Sequence, residues 1–83
     1  MSFFKRVQFV RSDGKESAYV SVQAGCDTAR LLAQVEYLLH CKAASFIDAN
    51  LHEDVGLNTD NLVDKYIVGT WLYEFFYYYL QNC

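Results

Sequence analysis

The sequence predicts an α+β fold, one helix packed on a mixed sheet in the order ββαββ. Three observations predict it. Two alternating runs flank an Asp-Gly turn near the N-terminus, an apolar stripe of helical period follows, and the rest of the chain returns to short apolar and aromatic runs. The chain has 83 residues, so residues 1–83 form a single domain. A domain this small needs a dense core, and 53% hydrophobic residues with six Phe and seven Tyr supply one.

Residues 4–11 and 17–23 alternate in polarity. Val7 and Phe9 share one face of the first run, and Ala18, Val20 and Val22 the matching face of the second. Ser12-Asp13-Gly14-Lys15 lies between them, and Asp-Gly reaches positive φ at low cost, so the pair is a β-hairpin. Gly25 breaks the second strand, and Asp27 or Thr28 is suited to cap a helix. A helix over about 28–41 places Leu31, Leu32, Val35, Leu38 and Leu39 on one face, with Arg30, Ala33, Tyr37 and His40 opposite.

After Ala44 the period changes, and Ser45–Ala49 reads as a short strand. Asn50–Asn61 is a polar loop carrying Glu53, Asp54 and Asp60, anchored by Leu57 and Leu62. Leu62–Ile67 reads as one short helical turn. Thr70–Leu80, dense in aromatic residues, reads as the last strand, with Trp71, Tyr73, Phe75 and Tyr77 on one face and Leu72, Glu74, Phe76 and Tyr78 on the other. The competing reading is a terminal helix, which would be apolar nearly all round and has no clear N-cap. The expected core sets the helix face against Val7, Phe9, Val20, Val22, Trp71 and Tyr73.

Charge and cysteine usage narrow the function classes. The net charge of −3 repels phosphate, and Lys5, Arg6, Arg11 and Lys15 form no basic stripe, so nucleic acid is not the expected partner. Cys26, Cys41 and Cys83 are odd in number and widely spaced, which fits free thiols in a cytoplasmic or nuclear setting. No signal peptide is expected at the N-terminus, and no apolar run is long enough to span a bilayer, so no membrane partner is expected.

Candidate chemistry is thin. His40 and Cys41 are neighbours on the expected helix and diverge by about 100°, so they do not face each other as a nucleophile and base. The cysteines lack the paired short spacing of zinc sites, and Glu53, Asp54 and Asp60 lack the ligand order of a calcium loop. Cys26 precedes the helix cap, where a helix N-terminus can activate a thiol, and the preferred reading is a small strand-end residue. The expectation is no enzyme and no cofactor or metal. Phe75–Tyr79, five consecutive aromatic residues, stands out: alternation sends half of it away from the core, where a partner or a second copy would cover it.

The order of elements and several local motifs resemble the ubiquitin-like family. Asp27-Thr28 opens the helix after the second strand, Phe46-Ile47-Asp48-Ala49 stands where the family's third strand lies, and Leu62-Val63-Asp64-Lys65-Tyr66-Ile67 is similar to the turn that precedes its final strand. The resemblance implies a β-grasp fold. The chain ends Gln81-Asn82-Cys83 in place of the Gly-Gly of conjugated modifiers, so the similarity is to non-conjugating members, elongin B-type subunits among them. It implies a protein-interaction module within a larger intracellular assembly, its protein partners unidentified and a homo-oligomer among the possibilities. The contact surface it implies comprises Ile47, Asp48, Leu72, Glu74, Phe76 and Tyr78. The alternative is a small viral or pathogen-encoded inhibitor or effector that blocks a host or bacterial protein complex, which compactness and acidity fit equally well.

Overall fold

The computed structural model describes residues 4–71 of the chain. They form an α+β unit of one helix and a mixed sheet of five strands: β1 (Phe4–Arg11), β2 (Ser17–Gln23), α1 (Thr28–Leu39), β3 (Ala43–Asp48), β4 (Glu53–Asp54) and β5 (Lys65–Thr70). The order across the sheet is β2-β1-β5-β3-β4. The central pair β1–β5 is parallel, and the other neighbours are antiparallel. The first hairpin and the helix follow the expectation from sequence closely. Gly14 takes φ +74° in the hairpin turn, a value that glycine adopts without a Cβ penalty.

The core forms because alternation in the strands and the helical stripe aim at the same layer. Val7 and Phe9 of β1, Val20 and Val22 of β2, Phe46 of β3, and Tyr66 and Val68 of β5 are buried with Leu31, Val35 and Leu39 of α1. Phe9, Phe46 and Tyr66 make an aromatic cluster. The Phe9 and Tyr66 rings stack with centroids 5.4 Å apart and planes 9° from parallel, and Phe46 meets both edge-on at 6.2 and 6.1 Å. The phenol oxygen of Tyr66 accepts the Val63 N–H at 3.1 Å, so this buried hydroxyl also fixes the segment entering β5.

The helix ends have identifiable causes. Asp27 is the N-cap, and its carboxylate accepts the Ala29 N–H at 2.9 Å, a contribution of about 1 kcal/mol. At the other end His40 turns into the left-handed region with φ 53° and ψ 48°, and its N–H donates to the Glu36 carbonyl. The Arg11 guanidinium reaches across from β1 and donates to the Leu39 carbonyl at 2.9 Å. Its other side holds the Asp13 carboxylate through two contacts of 2.9 Å. This ion pair, with the Lys15 N–H, lowers the Asp13 pKa below the ordinary carboxylate range and ties the hairpin turn to the helix C-terminus.

Several expectations are corrected. Leu62–Ile67 is not a helical turn, because β5 begins at Lys65 and Tyr66 is a core residue of a central strand. A strand not expected from sequence therefore lies at Lys65–Thr70, and the strand expected from Thr70 falls almost wholly outside the described residues. The loop after Asn50 contains the short strand β4, paired with β3 through Ile47↔Asp54 and Asp48↔Glu53. Trp71 is 54% exposed and belongs to the surface, and within the helix stripe Leu32 and Leu38 are only half-buried. Tyr73 and the rest of the aromatic segment expected as a strand to Leu80 lie outside the described residues.

Candidate functional site

The sheet has two unlike faces. One is covered by α1. On the other, alternation brings out the residues between the buried ones: Val10 between Phe9 and Arg11, Ile67 between Tyr66 and Val68, and Ile47 between Phe46 and Asp48. The register then aligns them. Val10 is opposite Ile67 in the parallel pair, Ile67 is opposite Ile47, and Ile47 is opposite Asp54. The result is a straight row of β-branched side chains across the centre of the sheet. All three are half-buried.

The row is bordered by charge of both signs. Toward β2, Arg6 lies over the Tyr19 ring at 4.4 Å, and Tyr19 is opposite Gln8, which in turn is opposite Lys65. At the β4 end Asp54 closes the row, its carboxylate accepting the Gly56 N–H at 3.2 Å. An apolar stripe with a cationic-aromatic border on one side and a carboxylate on the other is chemically equipped for contact with another polypeptide surface.

Of the residues expected at a contact surface, Ile47 sits at the centre of this row. Asp48 does not join it. Its side chain is 6% exposed, and its carboxylate accepts the N–H groups of Asn50 at 2.8 Å and Leu51 at 3.3 Å while its carbonyl accepts the His52 N–H. The odd-even alternation of β3 turns Asp48 to the helix side, where it caps the β3–β4 turn. Leu72, Glu74, Phe76 and Tyr78 lie outside the described residues. Val10 and Ile67 were missed from sequence. The first follows from the same alternation that identified Val7 and Phe9; the second was hidden by reading 62–67 as a helical turn.

The residues considered for chemistry are dispersed. His40 is exposed at the end of α1, and Cys41 beside it is half-buried, with burial pushing its thiol pKa up and so favouring the protonated, unreactive form. Cys26 is a half-buried free thiol between β2 and α1. Among the described residues no three His, Cys, Asp or Glu side chains converge as a metal-binding group, and no helix is long and apolar enough to cross a membrane. Compared with known proteins, the chain matches no family model, no curated protein and no solved structure.

Proposed function

We propose that this protein is a non-catalytic interaction module with a ubiquitin-like β-grasp fold, a subunit of a larger intracellular protein assembly. The observation that carries the reading is the Val10–Ile67–Ile47 row, an accessible apolar stripe on the sheet face away from α1. Support for the fold assignment comes from the helix crossing between the first hairpin and β3, and from the parallel pairing of the first and last described strands at the centre of the sheet. The free thiols Cys26 and Cys41 favour a reducing compartment, cytoplasm or nucleus. The sequence also carries the aromatic run 75–79, of a composition common at interfaces, and the net charge of −3 favours a protein partner over nucleic acid.

The test is capture of partners from the native host with wild-type protein and with the Ile47→Thr/Ile67→Thr double variant. Thr keeps the β-branch and hence the strand preference, while each substitution removes apolar surface from the row. The expected result is a loss of affinity of at least about thirtyfold for the retained partner, as for an interface anchor worth roughly 2 kcal/mol, with cooperative melting preserved. Equal retention by a folded double variant would place the contact elsewhere.

A further inference from the structure

The open face differs on the two sides of its apolar row. Toward the start of β1 and β5 it is cationic. Alternation sets Arg6 and Gln8 on the Val10 side of β1 and Lys65 on the Ile67 side of β5, with Lys65 opposite Gln8. Arg6 and Lys65 are exposed. Among the described residues the ion pairs are Lys5–Asp64 and Arg11–Asp13, so neither Arg6 nor Lys65 has a carboxylate at ion-pair distance. A chain of net charge −3 thus keeps two unneutralised cations on one flank of its apolar row. The other flank is low and uncharged. There Gly69 is opposite Ser45, and a Cβ at Gly69 would run into the Ser45 hydroxyl. At the β4 end the row meets the Asp54 carboxylate.

These dimensions select among occupants. Neighbouring strands are about 4.8 Å apart, so Val10, Ile67 and Ile47 present one side chain per strand at that spacing. A helix laid along the row offers one side chain per turn of about 5.4 Å and satisfies its own backbone. An extended segment spaces its same-side residues about 6.6 Å apart. Over the sheet face its N–H and C=O groups find no strand to pair with, because those of β1, β5 and β3 already bond one another. A phosphate-rich surface, nucleic acid or anionic membrane, suits the cations but sets its charge against Asp54 at the end of the row. A polypeptide helix can carry both signs.

Resting on the open-face reading above, we propose that the occupant of the row is an amphipathic α-helix of the partner protein with carboxylates along one flank. Its apolar residues, at i, i+3 or i+4, and i+7, seat on Val10, Ile67 and Ile47. Its Glu or Asp side chains face Lys65 and Arg6, and a basic residue at one end meets Asp54. Its other flank passes over Gly69 and Ser45, where small side chains admit close approach.

Two synthetic helical peptides, titrated into the full chain and read by amide chemical shifts at low and high salt, test it. Both carry the same leucine stripe at helical spacing. One has glutamates along one flank of the stripe, and the other has lysines at those positions. The glutamate peptide is expected to perturb the Val10, Ile47 and Ile67 amides and to bind about tenfold or more tightly than the lysine peptide, a difference that shrinks as salt screens the charges. Arg6→Glu/Lys65→Glu should reverse the preference in a chain that still melts cooperatively. Should that variant fail to fold, Arg6→Gln/Lys65→Gln should abolish the preference. Equal affinity of the two peptides, perturbation away from the row, or no perturbation by either overturns the proposal. So does stronger perturbation of the row by a single-stranded oligonucleotide or by anionic lipid vesicles than by the glutamate peptide. A native partner that Ile47→Thr/Ile67→Thr releases and Arg6→Glu/Lys65→Glu retains would uphold the open face as the contact and remove the charged helix alone.

Discussion

Tyr66→Ala is expected to destabilise the domain by about 3–5 kcal/mol, the cost of deleting a large buried aromatic side chain. Tyr66 is fully buried, stacks on Phe9 at 5.4 Å and supports Phe46 edge-on, so its removal opens a void where three strands meet. Against a total stability of about 5–15 kcal/mol, such a loss brings a small domain close to unfolding. Tyr66→Phe separates packing from polarity. The ring remains, the acceptor for the Val63 N–H is lost, and the expected cost is about 1 kcal/mol. Urea denaturation of the three proteins measures both terms. A Tyr66→Ala midpoint near that of wild type would show that β5 is not the centre of the sheet.

Leu39→Ala is the second large effect. Leu39 is fully buried in the last turn of α1, and a Leu-to-Ala deletion at such a site costs about 2–5 kcal/mol, depending on how far the surroundings collapse. Leu38 provides the control. It removes the same atoms on the same helix, but it is half-buried, so the cost of Leu38→Ala should be clearly smaller, by about half. Arg11 donates to the Leu39 carbonyl, so the backbone at this position stays anchored in both variants and the comparison reads side-chain packing alone. Equal melting shifts for the two variants would contradict the assigned helix rotation.

The difference between Leu38 and Leu39 illustrates how far the sequence could be read. A helical period identifies the apolar stripe, and all of Leu31, Val35 and Leu39 fall on it. It does not say where the stripe's centre meets the sheet, which depends on how β1 and β2 sit beneath it. The hairpin was legible because Asp13-Gly14 marks the turn and each strand has one buried face. β5 was not. Tyr66-Ile67-Val68 is apolar throughout, as central strands flanked by parallel pairing tend to be, so period-two alternation is absent and a short apolar run fits helix or strand. The last strand expected from the aromatic density, Thr70–Leu80, lies almost wholly outside the described residues. β4 was invisible because its two acidic residues carry no strand signal of their own and pair only because β3 is there. At the site, Ile47 was expected only through the resemblance, and alternation in β3 sets it on the face opposite buried Phe46. Asp48 was placed beside it by the same resemblance, whereas here it is buried and two backbone N–H groups satisfy its carboxylate inside the turn.

Stability resides in the helix-covered face of the sheet, and the proposed contact uses the open one. The most direct measurement is an amide chemical-shift map of the folded chain, titrated with the partner protein retained from the native host. Perturbations are expected to centre on Val10, Ile47 and Ile67 and to extend to Arg6, Tyr19 and Lys65, with α1 amides unmoved. Perturbations confined to the exposed side of α1, around Arg30, Ala33 and Tyr37, with the Val10–Ile67–Ile47 row silent, would contradict it.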